Sequence, residues 1–92
     1  MSEIVDNPAR HRYEISIDGH TAFTTYRVEN DVITFMHTEV PPEFRGKGIG
    51  SMLVRGELEA ARARGLKVVA SCEFVAGYID KHPEFRDLLV TN

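Results

Sequence analysis

Along the 92-residue chain the spacing of apolar positions changes from strand-like to helical and back. In RYEISI, residues 12–17, Tyr13, Ile15 and Ile17 alternate with polar neighbours, the two-residue repeat of a strand with one buried face. Asp18-Gly19 follows, a dipeptide suited to the positive backbone angles of a tight hairpin, and TAFTTYRV supplies the returning strand. Glu29-Asn30-Asp31 interrupts the pattern before VITFMHTEV, residues 32–40, rich in the β-branched and aromatic types that fit a pleated surface. These segments predict a three-stranded antiparallel meander. From Gly48 to Arg64 the period is helical, with Ile49, Met52, Leu53, Gly56, Ala60 and Ala63 on one stripe and Val54, Leu58 and Ala61 on a lesser one. The first stripe is expected to face the sheet, with Gly56 and Ala60 allowing close approach; the second calls for cover from another element or a subunit. Gly65 stands where a helix-ending glycine belongs, and LKVVAS, residues 66–71, reads as a short buried strand. Strand, helix and strand in that order imply a crossover that sets 32–40 and 66–71 parallel. FVAGYIDKH predicts a second helix limited by Pro83, and the tail from Glu84 to Asn92 suits a helical turn or an edge strand.

Ninety-two residues suit one domain, 1–92, with its core over about 12–85. A composition 42% hydrophobic and 27% charged is that of a soluble globular protein, and the longest apolar run, FVAGYI, falls far short of the roughly 18 residues that cross a bilayer. The N-terminal MSEIVDNPARHR lacks the basic-then-apolar order of a secretory signal, and a single cysteine cannot form an intrachain disulfide. These features predict a cytoplasmic protein with no membrane partner. The net charge of −3 argues against nucleic acid as a partner. Its distribution says more. From Arg45 to Lys67 six bases stand against two acids, a balance of +4 that leaves −7 for the rest of the chain. One segment is prepared for an anion and the remainder favours a cation, unless the bases are only the solvated face of a helix.

The anion site falls in PPEFRGKGIGSMLV, residues 41–54, where Arg45-Gly46-Lys47-Gly48-Ile49-Gly50 follows a strand and opens a helix. Free backbone N–H groups converge at the positive end of a helix dipole, and glycines let an anion approach the main chain. Neither G-x-x-x-x-G-K-[ST] nor G-x-G-x-x-G fits; the spacing is R-x-x-G-x-G. The alternative is a flexible turn with no ligand.

With HTEVPPEFRGKGIGSMLV, LKVVASCEF and YIDKHPEF in view, the chain resembles the GNAT superfamily of acetyl-CoA-dependent N-acetyltransferases, and within it the very small single-domain members, over about Tyr13 to Phe85. The resemblance implies a mixed α+β fold, a truncated GNAT-like arrangement of meander, helix, parallel strand and short C-terminal helix. It implies acetyl-CoA as cosubstrate and an amine as acceptor. It places Arg45, Gly46, Lys47, Gly48, Ile49 and Gly50 at the CoA pyrophosphate, and the main chain of Glu39, Val40 and Pro41 beside the pantetheine. The elements that shape the acceptor pocket in longer members are missing, so the acceptor stays unidentified. The family's tyrosine acid, the second aromatic of F-Y-x-K, aligns with Ile79 in Tyr78-Ile79-Asp80-Lys81, leaving Tyr78 one residue away.

Cys72 follows the strand 66–71 at a helix N-terminus, a position that favours thiolate. It has two chemical roles open to it, nucleophile in thioester exchange or acid toward the departing CoA thiolate, beside the structural role of a small buried residue. Direct transfer needs a deprotonated amine, and His37 and Glu39, on one strand face by alternation, are the candidate bases; His37 instead suits a structural hydrogen bond. No third ligand accompanies them for a metal. Three functions follow: an N-acetyltransferase, a noncatalytic CoA-binding module, or a protein-interaction domain using the stripe Val54, Leu58 and Ala61.

Overall fold

The computed structural model describes residues 4–90. Alternation along the strands sets its layers. β1 (Val5–Asn7), β2 (Arg12–Ile17), β3 (His20–Glu29), β4 (Val32–Glu39) and β5 (Lys67–Ala70) lie side by side in that order in one sheet. The first four are antiparallel neighbours and β5 joins β4 in parallel. The meander therefore has four strands rather than three, because the three-residue β1 is too short and polar to show a period. Tyr13, Ile15, Ala22, Thr24, Tyr26, Ile33, Phe35 and Val68 turn to one face and are buried. Arg12, Glu14, Ser16, Thr21 and Thr25 turn to the other, which no helix among the described residues covers.

Helix α1 (Ile49–Ala63) makes the crossover and buries Ile49, Gly50, Leu53, Val54, Glu57, Leu58 and Ala61. The inward face thus lies between the two stripes, taking Ile49 and Leu53 from the first and all of the second, and leaves Met52 and Ala63 of the first exposed. The two apolar stripes lie on nearly opposite sides of the helix, roughly 160° apart at 3.6 residues per turn, so period alone leaves the phase undecided, and turning Val54 and Leu58 inward removes more apolar area from water than turning glycine and alanine inward. Val54, Leu58 and Ala61 are fully enclosed by their own chain, so they offer no surface to a subunit or partner. Gly56 lies against Ile4, whose side chain occupies the place of a Cβ. The helix ends where the Leu66 amide returns to the Ala61 carbonyl at 2.9 Å.

Helix α2 (Glu73–Lys81) buries Val75, Tyr78 and Ile79 on the helix-covered face. The tail fulfils both expectations in turn, with a 3-10 segment over Pro83–Leu88 and then a parallel bridge from Leu89 to Val68.

The phase of α1 has a direct test. Leu58→Ala is expected to cost about 2–5 kcal/mol in urea unfolding, and Met52→Ala less than about 0.5 kcal/mol. The reverse order would return the helix to the phase read from its small residues.

Candidate functional site

Two departures from regular pairing build the site. Between β3 and β4 the register shifts, so that Tyr26 faces Phe35 while Thr25 faces His37 and Met36 is the extra residue. A bulge of this kind inverts the alternation beyond it. Phe35 and Thr38 both turn toward the helices, and Met36 and His37 are both exposed. Between β4 and β5 the ladder ends at Phe35 and Ala70. There the Phe35 carbonyl accepts hydrogen bonds from the Ser71 and Cys72 amides, each 3.1 Å long. Past this point β5 no longer accompanies β4.

Cys72 stands at the parting as the N-cap residue of α2, 8% exposed. Its sulfur lies 3.4 Å from the Thr38 hydroxyl. Burial pushes the thiol pKa up, but the Thr38 hydroxyl and the Val75 and Phe74 amides together outweigh it and leave the thiol below its ordinary value. The sulfur closes no capping hydrogen bond, so those amides act as nearby dipoles at the start of the helix.

Thr38 continues inward, its hydroxyl 2.9 Å from that of the fully buried Thr24. Beside Thr24 lies Glu57 of α1, 0% exposed, neither of whose carboxyl oxygens has a hydrogen-bond partner among the described residues. Burial drives its pKa up to about 8, with the adjacent Thr24 hydroxyl pulling it down and Cys72 adding to the rise. The carboxyl is therefore protonated at neutral pH.

At the mouth of α1 the chain turns through a short 3-10 segment, Pro42–Phe44, anchored by the buried Phe44. Gly46 and Gly48 then adopt φ of 77° and 70°, angles that disfavour any side chain, although the space around both is open. The Lys47 amide is committed to the Phe44 carbonyl at 3.1 Å, which leaves its ammonium free to face an anion. The amides of Ile49, Gly50 and Ser51 open α1 with no intrahelical acceptor. Arg45 and Lys47 form no ion pair among the described residues and are exposed. Gly50 has a different reason for lacking a side chain, since a Cβ there would meet the Phe74 ring and Val40. The glycines with positive φ, the open space above them and the two bases fit a phosphate-bearing ligand.

The structure thus brings Val40, Gly50, Phe74, Thr38 and Cys72 into one region beside the loop. It sets His37 and Glu39 apart on the open side of the bulge, 63% and 62% exposed with 4.0 Å between Nε2 and Oε2. Tyr78 is buried, stacked on His82 with ring centroids 3.9 Å apart, and borders a cavity of about 270 Å3 with Ser51, Phe74 and Lys81. A larger cavity of about 500 Å3, between β5, α2 and the tail, holds none of the loop residues and not Cys72.

Comparison with known proteins decides the family. The model of the GCN5-related N-acetyl-transferases matches residues 12–88. The chain belongs to that family. Human Protein NATD1 is 31% identical over 77 residues, covering 80% of this chain and 68% of that one, and the mouse protein is 27% identical over the same length. A solution NMR structure of a GCN5-like candidate N-acetyltransferase from Staphylococcus aureus superposes with a TM-score of 0.74 at 32% identity, covering 98% of this chain and 89% of that one. Membership places the chain among the acyltransferases, and the mixed α+β architecture matches a GCN5-like fold. No helix among the described residues is long and apolar enough to cross a membrane.

Thr24, Thr38, Glu57 and Phe74 escape a residue-by-residue reading of the sequence. One signal was present for Glu57. It lies three and four residues after Val54 and Leu53 and one before Leu58, an acid on the apolar stripe itself.

The raised pKa of Glu57 fixes a sign. Its proton is bound in the folded protein and lost in the unfolded chain between the ordinary carboxyl range and about 8, so stability is full at acid pH and falls as pH rises through that window. Glu57→Gln is expected to remove a downward slope of up to about 1.4 kcal/mol per pH unit, read from urea midpoints at several pH values between 5.5 and 7.5. Parallel slopes in the two proteins would show that Glu57 is ionised in the fold.

Proposed function

We propose that the chain is an acetyl-CoA-dependent N-acetyltransferase that moves an acetyl group to an amine, with acetyl-CoA as cosubstrate. The observation that carries this is the loop at the mouth of α1, where positive-φ glycines with open space beside them, helix amides with no intrahelical acceptor and two exposed bases outside any ion pair among the described residues lie together. Arg45, Gly46, Gly48, Ile49 and Gly50, with the Lys47 ammonium, would hold the pyrophosphate. Val40 and Pro41 border the path from there to the parting of β4 and β5, where the family places the thioester. Acetyl-CoA supplies an activated acyl group on a sulfur leaving group.

Cys72 is proposed to give its proton to the departing sulfur, a role served by a thiol held below its ordinary pKa and therefore the readier donor. His37 and Glu39 are proposed to take the proton of the acceptor amine through water. Tyr78, packed on His82 and Phe85, carries no proton in this scheme. The balance of −7 outside residues 45–67 favours a cationic acceptor, the ordinary state of an amine before it loses its proton.

One observation favours a noncatalytic CoA-binding module instead: neither candidate base for the amine shares the enclosed space of Cys72, since His37 and Glu39 stand in the open. Incubation with acetyl-CoA and a panel of amines, followed by free CoA and intact mass, separates the two. The transferase account expects CoA release with at least one amine and its loss in Cys72→Ala. Tight acetyl-CoA binding with no release from any amine would leave the binding module, and an acetyl group retained on Cys72 would make that residue a nucleophile rather than an acid.

The backbone cradle makes its own prediction. Calorimetry of acetyl-CoA binding is expected to show a loss of about tenfold or more for Gly48→Val, or 1.4 kcal/mol, and a smaller loss for Lys47→Ala, whose charge Arg45 and solvent partly replace. Equal losses, with folding intact by melting temperature, would assign the anion to side chains instead.

A further inference from the structure

We propose that Glu57 is the proton partner of Cys72, joined to it by a relay of the Thr24 and Thr38 hydroxyls; the inference rests on Cys72 acting as donor to the departing CoA sulfur. Glu57 does not touch substrate. It acts through the two threonines and is a positioning residue for the proton.

The geometry is contributed by separate elements. Glu57 comes from α1, Thr24 from β3, Thr38 from β4 beyond the bulge and Cys72 from the start of α2. They run in series, with 2.9 Å between the hydroxyls and 3.4 Å from Thr38 to the sulfur. Structural carboxyls in protein cores find partners, and one left without any costs stability that a leucine at the same place would not. Glu57 is fully buried, unpartnered and adjacent to Thr24, and a rotation of its carboxyl toward that hydroxyl completes the series.

Each threonine hydroxyl donates one hydrogen and accepts another, so a proton can pass without a charged threonine. As the Cys72 S–H bond breaks toward the CoA sulfur, Thr38 gives its proton to Cys72, Thr24 to Thr38 and Glu57 to Thr24. The thiol and both hydroxyls are restored, and Glu57 is left as carboxylate. After CoA leaves, Cys72 takes a proton from water and the same shifts run backward, balancing the proton that the amine released.

Few other groups face this series. Among the described residues Cys72 is the one titratable group that perturbs Glu57, and no lysine or arginine does. Tyr13 of β2 and Tyr26 of β3 share the sheet face but are engaged with Arg64 and Asp6. On α1, Arg55 pairs outward with Glu59, and Lys67 of β5 donates to the Asp87 carbonyl. Burial raises Glu57 to about 8 while the Thr38 hydroxyl and the helix amides hold the thiol below its ordinary value, so the two titrations approach each other and the charge on one opposes ionisation of the other.

The test uses the full chain without acetyl-CoA. Cys72 alkylation by iodoacetamide, followed from pH 6 to 10, is expected to rise in two steps in the native protein and in one step in Glu57→Gln. Carbon-13 NMR of the Glu57 carboxyl in Cys72→Ala is expected to show a lower Glu57 pKa, by the reciprocity of coupled sites. In turnover, Glu57→Gln and Thr24→Val are expected to lower kcat about a hundredfold with KM for acetyl-CoA unchanged. Coincident one-step alkylation profiles, a Glu57 titration indifferent to Cys72, or full kcat in Thr24→Val would each overturn the relay. Should the native protein turn over no amine, the transferase assignment fails, while alkylation and NMR still judge the Glu57–Cys72 pair.

Discussion

The Phe35 carbonyl oxygen, holding the amides of both Ser71 and Cys72, is the constraint on which the site depends. A regular parallel ladder would carry β5 onward beside β4 with evenly spaced bonds. Spending two successive amides on one acceptor stops that progression and turns the chain into α2. It also fixes Cys72 across from Thr38 at a place where β4 has lost its neighbour on that side. An opening between two strands of a small sheet costs pairing energy, and the helix that begins there recovers part of it by supplying amide dipoles to whatever occupies the gap.

The bulge at Met36 works with this parting. Without it, Phe35 and His37 would share the inner face and Thr38 would look outward; with it, the inner face past Phe35 carries Thr38 and Val40. The same irregularity therefore brings a hydroxyl to the cysteine and moves an imidazole away from it. Such departures from alternation are common beside functional sites because they re-aim a side chain without altering the fold.

Much of this was legible in the sequence. The strands, the long helix, the parallel return and the glycine loop follow from period and turn chemistry, and the R-x-x-G-x-G spacing pointed to the family that the match over 12–88 establishes. What was hidden has physical reasons. A two-residue period cannot reveal a bulge inside VITFMHTEV, so the inward turn of Thr38 was invisible. A helical period cannot by itself choose between two apolar stripes on nearly opposite sides of a helix, and Val54, Leu58 and Ala61 join Ile49 and Leu53 in the core because their volumes fill the space over the sheet. Glu57 looked like one acid in a basic segment, whereas its burial makes it neutral and places it in the core. The three glycines looked alike, yet two serve backbone angle and Gly50 makes room for Phe74 and Val40.

The central claim is that an acyl-CoA lies from the α1 mouth into the gap beside Cys72. Amide NMR with acetyl-CoA tests it most directly. The account predicts the largest shifts at Gly46, Gly48 to Ser51, Met36 to Val40 and Cys72. Shifts confined to the cavity lined by Ala70, Asp80 and Arg86, or none at millimolar acetyl-CoA, would contradict it.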